Sequence, residues 1–291
     1  MHQRRSAPAS PPASSASSST TASPSCDASL LLTGAGSEQQ LGPNLTLQPG
    51  ALQLIEDVRA QVHAACGPTV SCADITALAT RDAVAASGGP SYAVPLGRLD
   101  SLAPAPSAAV FQLPSPTSGA SELLAAFQTR GLDAVDLVAL SGGHTVGRAR
   151  CSSFSNRFGE GDAFVRRLAA NCSADPGRLQ ELDVTTPDVF DNKFYVNLVN
   201  GEGVLTSDQT LTGDWRTSWV FSKNRRERSL SLVVNGFAGN HWWFLGQFAQ
   251  SMVKLGSLTE PAGEIRRNCF VPNGQSIVLA SAGDEGIAAS A

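Results

Sequence analysis

From Leu52 the apolar residues Leu52, Ile55, Val58 and Val62 recur at spacings of three and four, and Gly67-Pro68 ends the run. That spacing predicts an amphipathic helix. Ser71 predicts the cap of a second helix over 72–87, with Ile75, Leu78, Ala79 and Val84 apolar and Gly88-Gly89-Pro90 as punctuation. Residues 101–118 are rich in Pro and small side chains and read as a long surface connection without a regular element. Leu123, Leu124 and Phe127 mark a helix over 121–130 that stops at Gly131. Asp133 then caps Ala134–Ser141, and His144 follows that helix after Gly142-Gly143. Phe244, Phe248, Met252 and Leu255 predict a last helix closed by Gly256. No period-2 strand pattern or internal repeat stands out, so the expected fold is mostly α.

Composition narrows the function class. The 291 residues carry a formal net charge of -4, which gives no basic field for nucleic acid. No apolar run is long enough to cross a bilayer. Cysteines stand at 26, 66, 72, 151, 172 and 269, spread along the chain and not at metal-binding spacing. An even, dispersed set suits disulfides in an oxidising compartment, with the pairing open. Two N-glycosylation motifs, Asn44-Leu45-Thr46 and Asn171-Cys172-Ser173, agree with secretion. Residues 1–25 are Ser, Ala, Pro and Thr with Arg4 and Arg5 and have no apolar core like that of a signal peptide. They read as a disordered, low-complexity tail with transit-peptide-like composition. Neither a GxSxG nor an HExxH hydrolase motif occurs.

Three separated blocks resemble the secretory plant peroxidases, the class III haem peroxidases. The first runs Val70-Ser71-Cys72-Ala73-Asp74-Ile75, through Arg81-Asp82, to Pro95-Leu96-Gly97-Arg98. The second is Asp136-Leu137-Val138-Ala139-Leu140-Ser141-Gly142-Gly143-His144-Thr145-Val146-Gly147. The third is Thr186-Pro187-Asp188-Val189-Phe190-Asp191-Asn192-Lys193, with Ser207-Asp208-Gln209 beyond. The resemblance implies a mostly α fold with two helical lobes around a haem, spanning 26–273, with an extension over 274–291. It implies His144 as the axial ligand of haem b and Asp208 as the carboxylate behind its ring. It implies a proximal calcium site from Thr145, Asp183, Thr186, the Val189 carbonyl and Asp191. It also implies the disulfides Cys72–Cys269 and Cys151–Cys172, Asn44 (after Glu38) as a residue orienting the distal His, and Pro114 at the edge of substrate access.

The chain departs from the family on the distal side. The Arg and the His four residues later that cleave peroxide fall, by counting back from Cys26, at Ser15 and Ser19. Neither hydroxyl can exchange protons with peroxide as an imidazole does or stabilise charge as a guanidinium does. His2, Arg4 and Arg5 stand in the wrong order within the tail. Asp27 and Ser29 remain of a distal calcium site, and Cys26 and Cys66 lose their family partners. Residues 219–232, with Lys223, Arg225, Arg226 and Arg228, read as a basic insert, either a solvated loop or a retained intron.

The expected function is reduction of hydrogen peroxide with one-electron oxidation of small phenolic donors, in peroxide catabolism and the response to oxidative stress. The alternatives are a haem-binding protein with impaired or truncated catalytic machinery, and a calcium-stabilised, non-catalytic extracellular binding protein. Family membership implies an extracellular or vacuolar monomer without nucleic-acid or membrane partners.

Overall fold

The computed structural model describes residues 26–110, 113–218, 233–259 and 262–275. The tail, the basic insert, most of the C-terminal extension, and with them His2, Arg4, Arg5, Ser15 and Ser19, lie outside the described residues. The periodic segment beginning at Leu52 lies in helix α1, Pro49–Cys66, with Ile55 buried. Gly67 ends it at φ 74°, a left-handed conformation that costs a residue without Cβ little, and its N–H bonds to the His63 carbonyl. Helix α2 is Cys72–Ala86, and Ser71 caps it by accepting the Asp74 N–H.

The connection over 101–118 corrects the expectation of no regular element. Ser107–Val110 forms one helical turn, α3, whose Val110 side chain is fully buried. A single turn has no periodicity to read; here the Pro106 carbonyl accepts the N–H groups of Ala109 and Val110, and burial of Val110 adds to this. Helices α4 (Ala120–Gln128) and α5 (Ala134–Ser141) follow, α5 capped by Asp133 through the N–H groups of Val135 and Asp136. Within the mostly α fold expected, β1 (Arg148–Arg150) and β2 (Leu179–Glu181) form a short antiparallel ribbon that no sequence pattern marked. Arg148 pairs with Glu181 and Arg150 with Leu179, and three residues per strand are too few to show alternation. Helix α6 (Ala163–Cys172) crosses between the strands, and the Cys151–Cys172 disulfide ties its end back to β1.

The remaining helices are α7 (Lys193–Val199), α8 (Thr206–Gln209), α9 (Trp215–Ser218), α10 (Val233–Gly239) and α11 (His241–Gly256). Helix α11 packs on α5, and α10 on α7. Their shared core joins Leu137, Val138, Phe190, Phe194, Tyr195, Leu198, Phe237, Phe244 and Phe248. Each such side chain, fully buried, contributes about 1.5–3 kcal/mol. A separate cluster joins Ala28, Leu31, Ile55, Ala73 and Ile75 to the Cys72–Cys269 disulfide. Cys26 and Cys66 are free thiols.

Two buried carboxylates fasten these parts. Asp100, fully buried, accepts the N–H groups of Cys72, Ala73 and Arg266 and lies 3.7 Å from Arg266 Nε. Arg266 in turn donates to the carbonyls of Cys269 and Ala28. Asp136, on α5, accepts Ser251 Oγ at 2.7 Å and Lys254 Nζ at 2.8 Å from α11. Burial alone would push the Asp136 carboxyl up, but Lys254, Ser251 and the Asp133 N–H outweigh it and leave the group below its ordinary value. A depressed carboxylate contributes stability above its unfolded pKa and loses it as pH falls through the folded one. Asp136→Asn is therefore expected to cost about 2 kcal/mol near neutral pH, since a hydrogen bond to a charged group is worth roughly 1.5–3 and half-exposed Lys254 is partly screened. Urea unfolding should show that gap shrinking as the solution is acidified; a pH-independent gap would rule out the charged pair as its origin.

Candidate functional site

Helix α5 ends against an aromatic wall. The chain continues as a 3-10 turn, Gly142–Thr145, which carries His144. Gly142 is required there, because a Cβ would lie 2.2 Å from Tyr195 Oη and 2.4 Å from the Phe244 ring. Tyr195 Oη donates to the Val138 carbonyl at 2.8 Å, and Phe194 meets the His144 ring edge-on at 6.1 Å between centroids. Burial, followed by the Asp208 carboxylate, raises the Tyr195 hydroxyl well above its ordinary pKa, so it stays a neutral donor.

His144 Nδ1 lies 3.0 Å from both carboxylate oxygens of Asp208 on α8. Asp208 is buried, whereas the His144 side chain is 40% exposed, so the ring is backed by protein and open at its outer edge. Burial pulls the imidazole down, but the charge and hydrogen bond of Asp208 more than offset this and leave it raised. The carboxylate accepts a proton held on Nδ1, which fixes the tautomer and leaves the Nε2 lone pair free.

Beside it lies a cluster of oxygens. Thr145 Oγ1 donates to Asp183 Oδ2 at 3.0 Å and approaches the Val189 carbonyl at 3.4 Å. Asp183 Oδ1 accepts the N–H groups of Thr185 and Thr186 and the Asn197 amide. Thr186 Oγ1 donates to Asp191 Oδ1 at 3.1 Å. Asp183 and Thr145 are fully buried, and no Lys or Arg among the described residues pairs with Asp183. A buried carboxylate without a counter-charge is costly, and a bound cation would supply that charge. Two carboxylates with hydroxyl and carbonyl oxygens suit a hard cation such as Ca²⁺. They do not suit zinc, and no group of three or more His, Cys, Asp or Glu among the described residues is arranged to hold a metal.

The segment after Cys26 holds the other expected residues. Ser29 N–H donates to Asp27 Oδ1, so these two remain together. Asn44 Nδ2 donates to the Glu38 carbonyl at 2.9 Å, and Glu38 Oε1 accepts the Ala105 N–H. Ser29 Oγ, Glu38 Oε2 and Asn44 Oδ1 are buried with no partner among the described residues. Pro114 is exposed, but its loop reaches α8 through the Pro116 carbonyl, which accepts the Ser207 N–H. The other described histidines are engaged elsewhere, His63 with Arg59 and the Val70 carbonyl, and His241 against Trp242. Phe194, Tyr195 and Asn197 join the site without having been singled out in the sequence. Their only signal is position, directly after the Asp191-Asn192-Lys193 block.

Comparison with known proteins gives the family. The peroxidase family profile matches residues 17–227. Cationic peroxidase SPC4 of Sorghum bicolor is 48% identical over 263 residues, 85% of this chain and 69% of that protein. Peroxidase 12 of Arabidopsis thaliana is 45% identical over 276 residues, covering 90% and 73%. Peroxidase 42 of Zea mays is 44% identical over 256 residues, covering 85% and 75%. A helical core that ends on a carboxylate-backed histidine, matched over most of its length by plant peroxidases, places this chain in the family of plant secretory haem peroxidases.

Proposed function

We propose that His144 holds the iron of haem b in this chain and that Asp208 sets its electron donation, for reduction of hydrogen peroxide at the expense of small phenolic donors. The observation that carries the reading is the His144–Asp208 pair, with Nδ1 committed to a buried carboxylate and the opposite ring edge open. When bound, haem would supply the redox centre that gives up the two electrons needed to cleave the O–O bond and regains them one at a time from the donors. Asp208 holds the Nδ1 proton and keeps the ring in one orientation, and Phe194 closes its flank. Thr145, Asp183, Thr186, the Val189 carbonyl and Asp191 hold Ca²⁺ one residue from the ligand, so the ion braces the turn that carries it. Asp27 and Ser29 are the remnant of a second calcium site, and Pro114 stands where donors approach.

Peroxide cleavage also needs a group that moves a proton between the two peroxide oxygens. Asn44 Oδ1 is the acceptor to which such a group would be hydrogen-bonded, and it is buried with no partner among the described residues. Reconstitution with haemin and Ca²⁺ tests the proposal. A Soret band is expected to develop and to weaken on chelation of calcium, while phenol oxidation runs roughly 10²–10⁴-fold below that of a relative with its acid–base pair. Absence of haem uptake would overturn the haem assignment, and turnover equal to such a relative would show that another group does the proton transfer.

A further inference from the structure

The two glycosylation motifs in the sequence are equivalent as motifs, and the fold makes them unequal. Asn44 is 1% exposed, with its amide turned inward to the Glu38 carbonyl. No path leads from that side chain to solvent for a sugar. Asn171 is exposed in the last turn of α6, and among the described residues its side-chain amide makes no hydrogen bond, while its backbone carbonyl accepts Arg178 Nη1. Ser173, the third residue of that motif, is also exposed, its hydroxyl donating to Ala170. A sugar on Asn171 therefore displaces no side-chain hydrogen bond among the described residues.

We propose that Asn171 carries the N-linked glycan of the folded protein and that Asn44 does not. In the transfer, Asn171 Nδ2 attacks the anomeric carbon of a lipid-pyrophosphate-linked oligosaccharide. The N–C bond forms as the C–O bond to pyrophosphate breaks, the pyrophosphate leaves with the electron pair, and the amide proton passes to a base of the transferase. Transfer precedes folding, so any chain modified at Asn44 cannot close the 38–44 turn.

The proposal rests on the reading that the chain enters the secretory route, and its test separates the two. The full chain, fused to a cleavable leader that enforces entry, is translated into microsomes. The variant S18N creates a further acceptor motif in the tail and reports entry within the same chain. Disulfide-bonded product is expected to carry one glycan, removed by endoglycosidase, absent in Asn171→Gln and Ser173→Ala, and retained in Asn44→Gln. A glycan gained in S18N while Asn171 stays bare would overturn the proposal, as would one that survives Asn171→Gln and disappears in Asn44→Gln. Glycosylation of the chain without the leader reads the secretory route separately.

Discussion

His144→Ala is expected to abolish the Soret shift on haemin addition while leaving the fold intact. The ring is open at its outer edge, and its loss removes no core contact comparable with that of Phe244 or Tyr195. What it removes is the ring that Asp208 orients, and with it the nitrogen proposed to bind the iron. Exogenous imidazole should restore part of the band by entering the vacated space, as no generic destabilisation would permit. Asp208→Asn should behave differently, keeping the ligand but lowering haem affinity about 10–100-fold, as loss of a partner behind a metal-bound histidine does. Equal spectra for His144→Ala and the parent protein would show that iron binds elsewhere.

Asp100→Ala is expected to be the most destabilising single change outside the aromatic core, at about 3–5 kcal/mol. It strands the N–H groups of Cys72, Ala73 and Arg266 and leaves the fully buried Arg266 guanidinium without its counter-charge. Burial, partly offset by Arg266, already holds the Asp100 carboxyl above its ordinary pKa, so the pair is expensive to bury even when intact. The double variant Asp100→Leu/Arg266→Met should therefore recover much of the loss, since a buried ion pair is often replaceable by apolar groups of similar volume. Denaturant midpoints of the single and the double variant against the parent protein measure this. A double variant no better than Asp100→Ala would show that the backbone hydrogen bonds, not the stranded charge, dominate.

Much of this was legible where local chemistry and periodicity act alone. Ser71 and Asp133 cap the helices their spacing implies, and Gly67 stops α1 at a positive φ. The turn at Ser107–Val110 was not legible, because one turn is too short to show periodicity and the burial of Val110 is set by the fold. Nor was the ribbon, whose three-residue strands are set by the neighbouring disulfide and turn. At the site, periodicity places His144 at a helix end but says nothing of Asp208, which lies 64 residues away in a one-turn helix. Only the family-like blocks joined them. Asn197, which completes the hydrogen bonds of Asp183, carried no local signal, since its part depends on how α7 lies across the 183–186 turn. The Asn44 motif reads as a surface feature in sequence and is interior in the fold.

The missing side chain at Gly142 has a consequence for how this protein can vary. Because the turn carrying His144 rests directly on Tyr195 and Phe244, the ligand's height and tilt are inherited from the packing between α5, α7 and α11. On the proposal that His144 binds the iron, a change among those aromatics would be expected to move the midpoint potential of the metal as well as the melting temperature. Through those aromatics redox tuning and heat tolerance would be coupled, which leaves Asp208, outside that core, as the place to change one without the other.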